Sequence, residues 1–378
     1  MKADARESDC LVIGGGLAGA MAGLRLAAAG RAVLLMERER AAHAKVCGEF
    51  LSPEAVGYLR SAGVDPVGLG AVSVDRLRIM VSTKTIEAAL PFSALSLSRT
   101  VLDEALLTRA AAQGCRVRRG AGVERLARDG DGWAAEDGDG RVVRAAHVFL
   151  ATGKHDLRGW GRGPGAQNDL VGFELHWRLA REQIRALSGC MELFLFRGGY
   201  GGLSLVENEA ANLCLVVRRK VLHQGDGWPA LLTSLRAECR LLRQRLAGAE
   251  PLIARPLAIS PIPYGYLAPA LQGPWRIGDQ SAVIPSFTGD GMAIALHSAA
   301  LAAEMFLEGA SPEDYQRRLA GQLRRGMTIA TALSRAMASP AARRVAPAAL
   351  ALLPPGIRWI AGATRIPGYA LPRFSAAI

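Results

Sequence analysis

At 378 residues, half of them apolar and only 6% aromatic, the chain exceeds one typical domain and fits two interleaved α/β lobes rich in Ala, Gly and Leu. Its formal charge of +12 comes from arginines spread along the chain rather than blocked, and no basic helix with interleaved aromatics is present, which argues against nucleic acid as the partner and for a solvated basic surface or an attraction to membrane surfaces. The six cysteines lack CxxC spacing, no run of about 18 apolar residues is uninterrupted, and the polar start MKADARESD is no signal peptide; a disulfide framework, a metal site, a spanning helix and export are therefore not expected, and a reducing cytoplasm is.

Cys10–Ile13 reads as a buried parallel strand. It runs into Gly14, Gly16 and Gly19 in GxGxxG spacing, then a helix over Leu17–Ala29 closed by Gly30, then a second strand from Ala32 to Met36 that ends in Glu37. Each part has a task in dinucleotide binding. Gly14 permits the tight turn, Gly16 lets the backbone approach a pyrophosphate, and Gly19 and Gly23 let the helix pack closely. The helix start, at Leu17 and Ala18, offers N–H groups and a positive dipole end to phosphates. Glu37 stands 18 residues after Gly19, where a carboxylate bonds a ribose hydroxyl, with Arg38 beside it.

Past a basic irregular segment, Ser52 and Pro53 signal a helix to about Ala62. Cys47-Gly48 precedes it in a loop near the nucleotide end. Cys47 is a small apolar filler, a redox thiol or a residue lining a cofactor ring. Val72–Val81 and Thr85–Leu90 read as strands of a second sheet. Ser98 or Thr100 caps a helix over Val101–Gln113, and Arg99 at its start either reaches phosphate or ribose or is a surface arginine. Cys115–Arg118, Gly122–Leu126, Trp133–Glu136, Val142–Ala145 and His147–Ala151 read as separate strands, the last running into Thr152-Gly153, where backbone can again lie against a cofactor. The Asp/Gly turns between them are hairpins and not calcium loops.

Val171–Val217 is strand-like and is the best candidate for a sheet covering a substrate. Helical runs follow over Trp228–Leu246, then a proline-rich strand region at Ile259–Tyr266. A strand ends at Gly278-Asp279, and a helix starts at Gly289–Met292 and runs to Leu307. Asp279 suits hydrogen bonds from a polyol chain, and the helix start suits negative charge on a ring carbonyl. Ser311-Pro312 opens a long helix to about Met337. The tail, with Leu350, Leu352, Leu353, Ile357, Trp359 and Ile360 beside Arg343, Arg344 and Arg358, packs on the substrate lobe or meets lipid.

The order of GxGxxG and Glu37, KVCGEFLSPE, LSRTVLDEALL, Ala151-Thr152-Gly153 and GDQSAVIPSFTGDGMAIAL resembles the FAD-dependent oxidoreductases of the p-hydroxybenzoate hydroxylase fold, in the geranylgeranyl-reductase-like branch, with flavin-dependent halogenases as neighbours. The resemblance implies an α/β fold: a Rossmann-type FAD-binding domain (1–70, 98–165, 270–310) interleaved with a β-sheet substrate domain (71–97, 166–269), and a helical C-terminal region (311–378). It implies FAD held by Gly14, Gly16 and Gly19 at the pyrophosphate, Glu37 at the adenosine ribose, Arg99 at the helix start, and Asp279 at the ribityl side. Gly289, Gly291 and Met292 would sit at the pyrimidine end, with Cys47 and Gly48 near the ring.

The chain departs from the family in places. His176-Trp177-Arg178-Leu179 replaces the WxWxIP of halogenases. Tyr200-Gly201-Gly202-Leu203 keeps only the tyrosine of the YxWxFP segment of prenyl reductases. The expected activity is therefore that of a monooxygenase on an apolar or aromatic small molecule, with reduction of a C=C bond in a lipophilic substrate as the alternative and electron transfer to a membrane or protein partner as a third reading. No second GxGxxG is present, so no dedicated NAD(P)H domain is expected; the hydroxylases of this fold imply NAD(P)H as a transient donor, and the reductases leave other donors open. Cys47, His176 and Tyr200 are the catalytic candidates. Lys154, His155 and Asp156 face the substrate or form a surface loop.

Overall fold

The apolar run around Cys10 becomes β1 (Ser8–Ile13), the glycine turn leads into α1 (Leu17–Ala28), and the second run becomes β2 (Val33–Glu37), parallel to β1 with Cys10 opposite Val33. The computed structural model describes residues 7–81, 84–224, 227–339, 356 and 362–372. After β2 come β3 (Phe50–Leu51), α2 (Pro53–Ser61), β4 (Val72–Val81), β5 (Lys84–Ser96), α3 (Arg99–Ala112), β6 (Arg116–Arg119), β7 (Val123–Asp129), β8 (Gly132–Asp137) and β9 (Val142–Leu150). The helix starts follow the sequence signals. Ser52 Oγ accepts the Ala55 N–H at 3.4 Å with Pro53 in the first turn, and Ser98 Oγ accepts the Val101 N–H at 3.3 Å.

The second half holds β10 (Leu170–Arg178), α4 (Arg181–Leu187), β11 (Gly189–Phe196), β12 (Gly199–Leu205), β13 (Ala210–Arg218), α5 (Arg219–Leu222), α6 (Gly227–Glu238) and α7 (Arg240–Arg245). It continues through β14 (Glu250–Pro251), β15 (Leu257–Ile259), β16 (Tyr266–Leu267), β17 (Trp275–Arg276), β18 (Ala282–Val283), α8 (Gly291–Leu307) and α9 (Pro312–Met337). The proline-rich region expected as strand over Ile259–Tyr266 is largely irregular, because Pro261 and Pro263 supply no N–H to a ladder. The helical run at 228–246 is two helices broken at Cys239, whose backbone is extended.

One sheet runs β6-β2-β1-β9-β8-β7, with β17 also paired to β9. Its β6, β2, β1, β9 and β17 are mutually parallel, while β7, β8 and the first half of β9 form an antiparallel meander. The two strands expected at 142–145 and 147–151 are this one strand. Its start alternates against β8, and its end is buried without interruption between β1 and β17, so the periodicity changes halfway. Helix α1 packs against α3 and α8 over this sheet.

The second sheet runs β14-β10-β13-β12-β11-β4-β5-β3. Successive side chains point to opposite faces, one of them packed on α6 and α7. On β10, Phe173, Leu175 and Trp177 pack with Leu231 and Leu235 of α6 and Leu242 of α7, while Glu174 and His176 point the other way, opposite Cys214 and Asn212 of β13.

Of the tail, residues 362–372 pack on the helical layer. Thr364 and Ile366 are buried, Arg365 pairs with Glu54 of α2, and its guanidinium lies 3.7 Å from the Phe92 ring centroid. The apolar cluster Leu350, Leu352, Leu353, Ile357, Trp359 and Ile360, with Arg343, Arg344 and Arg358, lies outside the described residues. Among the described residues, no helix is long and apolar enough to cross a membrane.

Candidate functional site

At the turn after β1, Gly14 has φ +105°, and a Cβ there would lie 2.5 Å from the Ala151 carbonyl oxygen, so only glycine lets β1 and β9 end side by side. A Cβ on Gly19 would meet the Gly14 oxygen at 1.8 Å, which fixes how closely α1 approaches its strand. The N-terminus of α1 has no side-chain cap and no acid in its first turn. Its dipole and N–H groups are therefore left for an anionic ligand. Beyond Gly16, in the direction a Cβ would take, stand Lys45 Nζ at 3.4 Å and Arg99 Nη2 at 3.6 Å.

This turn opens on a cavity of about 690 Å³ between the two sheets. Glu37, at the end of β2, accepts the Gly15 N–H at 2.6 Å with one oxygen and the Glu39 N–H at 2.9 Å with the other, so its buried carboxylate is fixed at the rim. Arg99 donates Nε and Nη2 to Asp103, both at 2.8 Å, and Lys45 Nζ lies 2.7 Å from the same carboxylate. Burial alone would raise the Asp103 carboxyl; Arg99 and Lys45 outweigh it and hold the group below the usual carboxylate range. Two cations share one anion here, so the cluster keeps a net positive charge beside the α1 N-terminus.

On the far side, Lys154 Nζ pairs with Asp279 Oδ2 at 3.4 Å. Burial disfavours the lysine's charge, but Asp279 together with the neighbouring Cys47 and Cys214 outweighs it and raises Lys154 above its ordinary value. Gly289 has φ +72°, and a Cβ there would strike the Phe50 ring at 2.5 Å, so the loop before α8 lies directly on β3. Val46, Val216, Leu257, Ile259, Ile262 and Val283 give the cavity an apolar wall.

Behind the Cys47-Gly48-Glu49 loop sits a buried polar cluster. Glu49 is fully buried in a left-handed conformation, φ +54°, rare for a residue with a side chain. Its Oε1 accepts the Arg99 N–H at 2.8 Å, and its Oε2 pairs with His176 Nε2 at 2.8 Å. On the other side of the ring, His176 Nδ1 lies 3.5 Å from Glu174 Oε1, while Glu174 Oε2 accepts the Cys47 N–H at 3.2 Å. Burial, then the neighbouring Glu49, pushes the Glu174 carboxyl up to about 8. Burial opposes charge on His176, but Glu49 and Glu174 outweigh it and raise the imidazole. The Cys47 thiol is raised by burial against the pull of Arg99.

Every residue expected at a cofactor lines this one cavity except Gly19, which faces the Gly14 backbone. They are Gly14, Gly16, Leu17, Ala18, Glu37, Arg38, Cys47, Gly48, Arg99, Thr152, Gly153, Asp279, Gly289, Gly291 and Met292. Arg38 reaches it only by its edge: its side chain is 58% exposed and paired with Glu39. Of the catalytic candidates, only Cys47 lines the cavity. His176 stands one layer behind it, and Tyr200 is buried behind the apolar wall, in one cluster with Val216, Ile262 and Val283, its hydroxyl 3.3 Å from Ser334 Oγ and its ring edge-on to Phe287. Lys154, His155 and Asp156 line the cavity. Sequence reasoning passed over Lys45, Glu49, Asp103 and Glu174. Lys45 lay in a segment read only as basic and irregular. Glu174 and His176 did carry a signal, being two polar residues two apart in an otherwise apolar strand.

Residues 7–155 match the family described as FAD binding domain. The menaquinone reductase of Mycolicibacterium smegmatis is 26% identical over 319 residues, covering 80% of this chain and 77% of the relative. Digeranylgeranylglycerophospholipid reductase 2 of Methanopyrus kandleri is 26% identical over 328 residues, covering 82% and 79%. Among solved structures, a flavin-dependent brominase superposes with a TM-score of 0.77 at 18% identity, covering 97% of this chain and 96% of that one. The myxobacterial chondrochloren halogenase superposes with a TM-score of 0.76 at 19% identity, covering 97% and 95%. The last two likenesses concern the fold. The residues around the cavity fit FAD: a bare helix N-terminus and a cation pair for a pyrophosphate, and carboxylates at Glu37 and Asp279 for the hydroxyls of ribose and ribityl chains.

Proposed function

We propose that this chain, an FAD-dependent oxidoreductase with the p-hydroxybenzoate hydroxylase-type fold, reduces a C=C bond in a lipophilic, isoprenoid-type small molecule. The observation that carries the reading is the two-sided cavity. Glycines and charges gather at one side, and Val46, Val216, Leu257, Ile259, Ile262 and Val283 form the other, with Cys47 and Glu49 between them. An apolar wall of this kind selects a substrate by buried hydrocarbon area. The two reductase relatives, each aligned over about 80% of the chain, support reduction.

In this reading the N-terminus of α1 with Lys45 and Arg99 holds the pyrophosphate. Glu37 takes the adenosine ribose, Asp279 and Lys154 the ribityl side, and the loop Gly289–Met292 the pyrimidine end. FAD held here would supply the hydride chemistry; the chain's own residues would orient the substrate, exclude water and deliver a proton.

Hydroxylation is the second reading. The specific observation in its favour is the eroded prenyl-reductase segment: only Tyr200 is kept from it, and Tyr200 packs behind the cavity wall without lining the cavity. Anaerobic incubation of the FAD-loaded protein with NAD(P)H and a polyprenyl substrate separates the two. Gain of two hydrogens by the substrate without oxygen is the expected product. Turnover only in air, with one oxygen atom gained by an aromatic compound, would establish hydroxylation instead.

A further inference from the structure

We propose that Glu49, His176 and Glu174 form a buried proton chain that carries a proton from solvent to the cavity wall. The inference rests on the reductase reading above and assigns its proton source. Three observations carry it. The imidazole stands between two carboxylates that are 0% and 1% exposed, and each ring nitrogen faces a different one, at 2.8 Å and 3.5 Å. Glu174 Oε1 makes no hydrogen bond among the described residues, although the group is buried, and so it has a free position at which to hold a proton. His176 is the one member with an exposed edge, 15% of its side chain, while Glu49 lines the cavity. Solvent thus meets the chain in the middle, and the cavity meets it at the Glu49 end.

The left-handed backbone of Glu49 supports the same assignment. A strained, fully buried glutamate persists only where its surroundings hold it, and here the Arg99 N–H and the His176 ring hold both its oxygens. The carboxyl and imidazole ligand atoms lie close enough to suggest a cation as well: those of Glu49, Glu174 and His176 are all within 4.8 Å of one another. Glu49 Oε2 and His176 Nε2 stand 2.8 Å apart, a separation that fits a shared proton and leaves no room for a metal ion between the two atoms.

The step balances as follows. Saturation of a C=C bond takes one hydride and one proton. The hydride, with its electron pair, comes from the reduced flavin. The proton leaves the chain at Glu49, Glu49 is recharged through His176, and Glu174 or solvent restores His176. Only O–H and N–H bonds break within the protein. Glu174 and His176 act through Glu49 and are positioning residues. The groups facing them are Glu49 from the loop before β3, Arg99 from α3 and Glu207 from the turn after β12; the neighbouring Asn212 and Cys214 of β13 carry no charge.

Infrared spectroscopy of the full-length, FAD-loaded protein tests the chain without turnover. The expected result is a protonated-carboxyl stretch that disappears as pH rises through about 8, is absent in Glu174→Gln, and changes between oxidised and reduced flavin. Glu174→Gln keeps an oxygen for the Cys47 N–H; should it fail to fold, His176→Asn is expected to shift the same stretch and to remove its response to flavin reduction. A stretch that is missing at neutral pH, or one unaltered in Glu174→Gln, would overturn the proposal. So would a stoichiometric divalent metal retained after dialysis and lost in His176→Asn. Failure to reduce any alkene with the carboxyl signal intact would sink the reductase reading and leave the chain standing.

Discussion

Glu49 Oε2 lies 2.8 Å from His176 Nε2, although the two residues are 127 positions apart in the chain. The contact ties the loop before β3 to β10, both parts of the second sheet, beside the cavity, and the neighbouring Glu174 supplies a pH signature.

The Glu174 carboxyl lies at about 8 in the folded chain against an ordinary 4.5. A raised folded value means the native state binds the extra proton. The associated stability is therefore full at pH below about 4.5 and is lost as pH rises to about 8. His176, also raised, has the same sign. Melting temperature should fall across this window in the wild type, and Glu174→Gln should flatten the decline. An equal slope in both proteins would refute the assignment.

Asp290, buried at the start of α8, follows the same rule: burial, against the pull of Arg365, raises its carboxyl to about 7. Asp290→Asn should melt higher than the wild type above about pH 7 and differ little at acidic pH. A variant that melts lower under alkaline conditions would show that the ionised carboxylate is stabilising.

Gly16 has space in front of it, bounded by Lys45 and Arg99. Gly16→Val should fold with little change in melting temperature yet weaken FAD binding by about 100-fold, since roughly 2.7 kcal/mol of phosphate contact is lost. Gly19→Val is expected to behave differently, because its Cβ meets backbone at 1.8 Å; the fold itself should suffer. Flavin titration with parallel melting curves separates the two effects. Equal loss of both properties in Gly16→Val would contradict the assigned phosphate site.

The nucleotide-binding unit was legible because its information is local: an apolar strand, a glycine turn, a helix and a terminal acid follow one another within Cys10–Glu37. The caps at Ser52, Ser98 and Ser311 were legible for the same reason. Strand β9 was misread as two because one strand serves an exposed hairpin and a buried parallel core. The Glu49 cluster was hidden for a different reason. Its members come from the loop before β3 and from β10, far apart in the chain, and only the assembly of the second sheet brings them within reach. Tyr200 shows the converse: a motif residue can be present while its side chain packs behind the cavity wall rather than lining the cavity.

Glu192 of β11 gives a stability prediction away from the cavity. It is 2% exposed and receives Arg245 through Nε at 3.1 Å and Nη2 at 2.8 Å, with Arg78 as a second partner. Glu192→Ala leaves the buried Arg245 without its anion, while Arg78 keeps Glu87, and should cost about 3 kcal/mol in denaturant unfolding. Arg245→Met with Glu192→Leu should recover much of the loss; a double variant no better than the single would rule out unpaired charge as the cause.

Anaerobic stopped-flow mixing addresses the central claim most directly. The FAD-loaded protein is reduced with light, mixed with a polyprenyl alkene in the absence of oxygen, and followed by flavin absorbance with mass analysis of the substrate. Flavin reoxidation in step with formation of the saturated product is the expected result. A flavin that stays reduced until oxygen is admitted, leaving the alkene untouched, would contradict it.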